Sequence, residues 1–187
     1  MDFHTFNAAD ADRLDDVTRF RFCSRDELVA ALDVDGDAAV ADLGSGNGFY
    51  TDEVAPFVGD LYAVDVQRAM HERYRERGVP ATVSPITADL GSLPLAANAL
   101  DGAFSTMTFH EFATPDRLAA LGRAMRPGAR LVVADWTSEG RGERGPPRSE
   151  RLDAERAADI AADGGFDVLE ARSRPETLFV VAEWPEA

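Results

Sequence analysis

The sequence predicts a single α/β domain on a mostly parallel, seven-stranded sheet, and three observations carry that expectation. Apolar strand-like runs alternate with helix-compatible segments, as in parallel βαβ units with right-handed crossovers. Residues 40–51, Val-Ala-Asp-Leu-Gly-Ser-Gly-Asn-Gly-Phe-Tyr-Thr, read as a strand, a tight turn and a helix start. The last two strand-like runs are separated only by Arg174-Pro175-Glu176. That connection is too short for a crossover, so these two strands run antiparallel to each other.

Each element follows from local chemistry. Residues 9–32 read as two helical pieces. Asp10 or Asp12 starts the first, and Ser24 caps Arg25 to Leu32 with Glu27 at the third position, a capping box. Asp35-Gly36-Asp37 turns the chain into strand one, 38–43. A helix follows over 49–58, with Pro56 near its end, then strand two over 61–66. Helix 67–77 stops at Gly78, and strand three covers 81–87. Strand four spans 101–107, and helix 115–125 packs Leu118, Leu121 and Met125 into the core. Strand five covers 129–135, and helix 149–163 stops at Gly164-Gly165. Strands 166–172 and 177–184 complete the sheet.

Composition narrows the setting. At 187 residues the chain fits one domain with a sizeable core. No apolar run is long enough to cross a membrane, and the start lacks a basic, apolar leader, so a cytoplasmic protein is expected. The single cysteine, Cys23, excludes an internal disulfide or multi-cysteine metal site and reads as a buried small residue; no metal is expected. Net charge is −15, and all 19 basic residues are Arg. Such acidity resembles proteins of salt-loving organisms, with GC-rich coding as the plain alternative. It disfavours nucleic acid, which demands basic patches, and an anionic membrane surface. Monomer and homodimer both remain open.

The glycine turn points to a bound cofactor. Gly44, Gly46 and Gly48 allow close backbone approach and left-handed angles, and a helix N-terminus behind them favours an anion. A dinucleotide turn wants G-x-G-x-x-G/A, whereas here Phe49 stands where a small residue is required. The string Asp-Leu-Gly-Ser-Gly-Asn-Gly-x-Tyr-Thr instead resembles motif I of the class I S-adenosylmethionine-dependent methyltransferases. The Arg123-Ala124-Met125-Arg126-Pro127-Gly128 run likewise resembles that family's R-x-L-K-P-G turn before strand five, with Met125 and Arg126 departing from the common Leu-Lys. The resemblance runs from about residue 38 to 184 and implies a Rossmann-like three-layer sandwich, strand order 3-2-1-4-5-7-6, with an antiparallel last strand. It implies S-adenosyl-L-methionine as cofactor, S-adenosyl-L-homocysteine as product, and a small-molecule methyl acceptor.

Ligands of open parallel sheets sit at the carboxyl ends of the strands. The resemblance therefore implies cofactor contacts from Asp42, Gly44, Ser45, Gly46, Gly48 and Tyr50 of the turn. Asp65, followed by Val66, would accept from the ribose hydroxyls, or else cap the next helix. Asp89, followed by Leu90, would accept from the adenine amine, or else form a turn before Gly91. Thr106 ends strand four beside the candidate base His110 and its neighbour Glu111. A histidine titrating near neutrality suits deprotonation of a hydroxyl, phenol or acidic carbon, the alternative being a residue that only shapes the pocket. Phe109 and Trp136 read as pocket residues, as do Phe3, His4 and Phe6 of an N-terminal segment, 1–35, that covers the substrate side of the core, 36–187. His71, on a charged helix, reads as solvent-facing. The polar connection 141–148, with Gly145-Pro146-Pro147, reads as a lid or a rigid linker. A similar Gly-Pro-Pro run marks the quinone- and sterol-methylase-like branch. Two other readings stand beside this one: a cofactor-binding regulator without methylase activity, and a nicotinamide-dependent oxidoreductase.

Overall fold

The computed structural model describes residues 14–186. The sheet has seven strands: β1 (Ala39–Leu43), β2 (Asp60–Asp65), β3 (Val83–Thr87), β4 (Leu100–Thr106), β5 (Met125–Trp136), β6 (Asp167–Ser173) and β7 (Thr177–Glu183). Their order is β3-β2-β1-β4-β5-β7-β6. The first five pair in parallel, and β7 runs antiparallel to both β5 and β6. The expected architecture and the terminal hairpin are both present.

Helices cover both faces. α1 (Arg25–Leu32), α2 (Phe49–Val54) and α3 (Arg68–Arg77) pack on one side, where Leu28, Tyr50 and Tyr74 join Val40, Leu61 and Phe104. α4 (Phe109–Phe112), α5 (Pro115–Ala124) and α6 (Ala154–Asp163) pack on the other, where Leu118, Leu121 and Ile160 join Leu43, Leu131 and Val180. The alternation of residues along each strand feeds the two cores in turn.

Element ends differ from the sequence expectation where a stronger local interaction intervenes. Ser24 does cap α1 by accepting from the Glu27 N–H, but the Glu27 carboxylate pairs with Arg172 and Arg174 of the terminal hairpin. The expected first helical piece becomes, among the described residues, a short 3-10 turn over Val17–Arg21, capped by Asp16; Asp10 and Asp12 lie outside those residues. Pro56 ends α2 early and the chain continues as a 3-10 turn, Ala55–Phe57. α6 begins at Ala154, five residues later than expected, because Asp153 caps it and Arg148–Glu150 form a separate turn. β5 begins at Met125, its pairing with β4 broken by a register shift at the Pro127-Gly128 turn.

Candidate active site

The glycine turn is built as the spacing requires. Gly44, Gly46 and Gly48 have φ of 77°, 56° and 87°, all in the left-handed region that only glycine adopts without strain. The N–H groups of Gly44 and Ser45 both donate to the Val64 carbonyl, which fastens the turn to β2. A Cβ on Gly44 would lie 2.5 Å from Thr108, and one on Gly48 would lie 2.4 Å from the Tyr74 ring. Those two glycines let α3 and the end of β4 close on the turn. Gly46 points at Leu14 of the N-terminal segment, which a Cβ would meet at 3.3 Å.

Two carboxylates flank the turn. Asp65 accepts from the Gly46 N–H at 2.8 Å and from the Gln67 N–H at 2.7 Å, so it braces the turn and also caps α3. Burial pushes its carboxyl up, against the pull of those two donors. Asp42 is 1 % exposed and accepts from the Thr51 hydroxyl at 2.6 Å. Its other oxygen, Oδ1, has no hydrogen-bond partner among the described residues. Burial pushes this carboxyl up to about 7. An orphaned buried acceptor normally signals a missing partner.

The remaining cofactor candidates fall into two groups. Val66 is 58 % exposed at the end of β2, an apolar side chain that a planar base can cover. Asp89 lies at the end of β3, where it accepts from the Gly91 N–H and pairs with Arg117 at 2.7 Å. Ser45 and Thr106 are buried at the turn and at the end of β4. The Leu90 side chain is core, so only its backbone can serve a ligand. Tyr50 is also core, and its hydroxyl donates to the carbonyls of Arg19 and Cys23. Cys23 is buried as expected, its thiol pushed up to about 12 by burial.

His71 corrects the sequence reading. It is 0 % exposed, with Nδ1 2.9 Å from the Thr87 hydroxyl and Nε2 3.4 Å from the Ser45 hydroxyl. Its charged helix presents this one polar ring inward, where it links the glycine turn to the end of β3. The signal was absent locally because both partners are distant in sequence.

The ends of β4 and β5 bring the candidate base His110 against a buried carboxylate. Thr108 donates to the Thr106 carbonyl and, at 3.4 Å, to the Gly44 carbonyl, so the β4 end touches the turn. Met107 has φ of 61°, a strained angle for a side-chain-bearing residue of the kind that collects at functional sites. α4 then starts, turning Phe109 and Phe112 inward at i and i+3. Phe109, expected in the pocket, is 1 % exposed and packs edge-on to Phe112 in the core. His110 faces the other way. Its Nδ1 lies 2.9 Å from Asp135 Oδ2 and 3.0 Å from Oδ1, and its backbone N–H donates to the same carboxylate. The carboxylate that holds His110 is therefore Asp135 at the end of β5, not the adjacent Glu111, because successive helical residues do not face each other. The His110 side chain is 7 % exposed. Burial alone would lower its pKa, but the charge and hydrogen bond of Asp135, with smaller help from Glu111, raise it.

Trp136 is half-buried beneath a cover. Phe22 packs edge-on to it at 4.8 Å, the Arg151 guanidinium lies 5.7 Å from its ring centroid, and a Cβ on Gly145 would sit 2.6 Å from the indole. The 141–148 connection thus lies over Trp136 and meets the N-terminal segment through Arg144, which pairs with Asp16 at 3.1 Å and donates to Thr18. Phe3, His4 and Phe6 lie outside the described residues.

A glycine cradle, an unpartnered buried carboxylate oxygen and an exposed apolar side chain beside Asp65 fit an amino-acid nucleoside. A model of the methyltransferase domain family matches residues 41–133. An S-adenosylmethionine-dependent methyltransferase from Aquifex aeolicus is 28% identical, with a TM-score of 0.87 over 95% of this chain and 98% of that one. The methyltransferase in complex with the Trm112 methyltransferase activator of Haloferax volcanii is 18% identical, with a TM-score of 0.78 over 96% and 97%, a likeness of fold alone. The biotin biosynthesis bifunctional protein BioHC of Cellvibrio japonicus is 29% identical over 110 residues, 58% of this chain but only 21% of that protein. With S-adenosyl-L-methionine as its cofactor, the chain belongs to the class I S-adenosylmethionine-dependent methyltransferases.

Proposed function

We propose that this chain is an enzyme that transfers the methyl group of S-adenosylmethionine to a small-molecule acceptor by in-line displacement, leaving S-adenosylhomocysteine. The observation that carries this reading is the His110–Asp135 pair, set at the ends of β4 and β5 two residues beyond the contact of Thr108 with the glycine turn. The cofactor supplies a methyl group made electrophilic by its sulfonium. Asp135 holds the Nδ1–H tautomer of His110, which leaves Nε2 as the acceptor for a proton from the substrate hydroxyl, phenol or acidic carbon. Asp65 serves the ribose hydroxyls, Asp89 and the Leu90 N–H serve the adenine edge, Val66 covers the ring, and Asp42 steadies the methionine end. Trp136, with its cover of Phe22 and the 141–148 connection, walls the acceptor side and keeps water out.

The finer setting is also a proposal. A net charge of −15 with no lysine supports a small acceptor rather than nucleic acid or an anionic membrane, and a salt-rich cytoplasm. The Gly145-Pro146-Pro147 run supports the quinone- and sterol-methylase-like branch. Calorimetric titration of S-adenosylmethionine, S-adenosylhomocysteine and NADH tests the core of the reading. Binding of the first two, reduced at least tenfold in Asp65→Ala, is expected. Binding of NADH alone would overturn it, and cofactor binding without turnover across an acceptor screen would leave a regulator in its place.

A further inference from the structure

The amino-acid end of the cofactor carries a carboxylate into a corner already crowded with negative charge. Asp42 lies buried before the turn, Asp65 braces it, and Asp15 accepts from the Asn47 amide on its outer side. A carboxylate enters such a corner only against a cation. Arg77 is already engaged, paired with both Asp15 and Asp52. Arg19 is not. Its guanidinium stands 5.0 Å from the ring centroids of both Phe49 and Tyr50, the two residues that follow Gly48. Its one hydrogen bond among the described residues runs from Nη1 to the Leu14 carbonyl at 2.9 Å, and no described carboxylate lies within ion-pair distance of it. A guanidinium has five N–H donors, so most of this one has no partner among the described residues.

The presentation of Arg19 is built from several directions. Asp16 caps the 3-10 turn that carries it, and the Tyr50 hydroxyl donates to its carbonyl at 3.1 Å. Leu14, whose carbonyl it holds, is the residue that meets Gly46. Burial works against the Arg19 charge, while nearby Tyr50, Asp42, Asp15 and Asp16 favour it.

We propose that Arg19, stacked on Phe49 and Tyr50 where the 14–22 segment already lies against the glycine turn, binds the α-carboxylate of S-adenosylmethionine. The proposal rests on S-adenosylmethionine being the cofactor. Its test compares S-adenosylmethionine with decarboxylated S-adenosylmethionine, which lacks only that carboxylate, by calorimetry on the wild type, Arg19→Met and Arg19→Lys. The wild type is expected to bind the intact cofactor roughly ten- to a hundredfold more tightly, the range of a charge-assisted hydrogen bond to a partly buried anion. Arg19→Met is expected to lose that factor for the intact cofactor and nothing for the decarboxylated one, with partial recovery in Arg19→Lys. Equal weakening of both ligands in Arg19→Met would make Arg19 a scaffold residue and overturn the proposal, as would no weakening of either. Thermal unfolding checks that Arg19→Met is folded. Should it unfold, the wild-type comparison decides, since equal affinity for the two ligands overturns the proposal by itself. A wild type that binds neither ligand would instead remove the cofactor reading.

Discussion

A histidine held by a buried carboxylate titrates higher than a free one, because its protonated form gains a partner that the neutral ring lacks. His110 is in that position against Asp135. A general base must be neutral, so the rate should fall as pH drops through the raised pKa. Asp135→Asn removes the charge and should move that acid limb to lower pH while lowering kcat about 10²-fold or more, from lost tautomer control. A pH–rate profile checks this, and an unmoved limb would remove His110 as the base. The same pair contributes stability that is complete below the unfolded histidine pKa and is lost as pH rises through the folded one. Asp135→Asn should therefore destabilise more at pH 6 than at pH 9. Asp42 follows the same sign, since its folded pKa is also raised. Its carboxyl, at about 7 against 3.8 unfolded, binds protons more tightly when folded. Its contribution to stability is greatest in acid and falls as pH rises from about 4 to about 7. Asp42→Asn keeps an acceptor for Thr51 and should stabilise the protein at pH 8 by on the order of 1–4 kcal/mol, with near parity at pH 4. Calorimetric melting at the two pH values measures it, and weaker cofactor binding should accompany the gain.

Gly122 shows how an element can depend on a single missing side chain. A Cβ there would lie 2.1 Å from the Trp184 ring, which itself packs edge-on to Phe166 at 5.0 Å. Gly122→Val should cost roughly 1–3 kcal/mol by overpacking, about 2–4 °C of Tm for each kcal/mol in a chain of this size. Scanning calorimetry checks it, and Trp184→Ala in the same chain should remove much of the loss. Gly122 is an unremarkable mid-helix glycine in sequence, since its partner lies sixty residues away. Other elements were legible because their signals are local. Ser24, three residues before Glu27, makes the cap that its position implies, whereas the start of α6 at Asp153 was not read from the sequence. Ser149, where the helix was expected to begin, lies instead in a separate 3-10 turn. Arg151 donates to the carbonyls of Thr137, Arg144 and Pro146, which folds the preceding residues into the cover over Trp136. α4 is four residues long, too short to show a period, so the inward turn of Phe109 and the His110–Asp135 pairing were both invisible.

Alternation and the short last connection made the parallel sheet and its antiparallel end legible, while the strand order came only from the resemblance to the methyltransferase family. The charge balance is legible too, and it has a consequence that no single contact carries. With 34 acidic and 19 basic residues, the folded chain repels itself more than the expanded one. Screening shortens from ~10 Å at 0.1 M salt to ~3 Å at 1 M. The Tm should therefore rise between 0.1 and 1 M KCl, most steeply at the low end, and calorimetric scans across that range measure it. A flat or falling Tm would mean that pairs such as Arg77 with Asp15 and Asp52 dominate over the net field.

β7 is the strand that closes the sheet, inserted between β5 and β6 with its side chains buried along nearly all its length. It is also the last of the seven strands to be synthesised. Until residues 177–183 emerge, β5 offers an open edge of Val132, Val133 and Ala134, and both cores lack Leu178, Phe179 and Val180. The site residues of β1, β2 and β4 are all synthesised well before the framework that holds them rigid. A nascent chain of this protein is thus sticky from the synthesis of β5 until β7 follows, and only then can the sheet close.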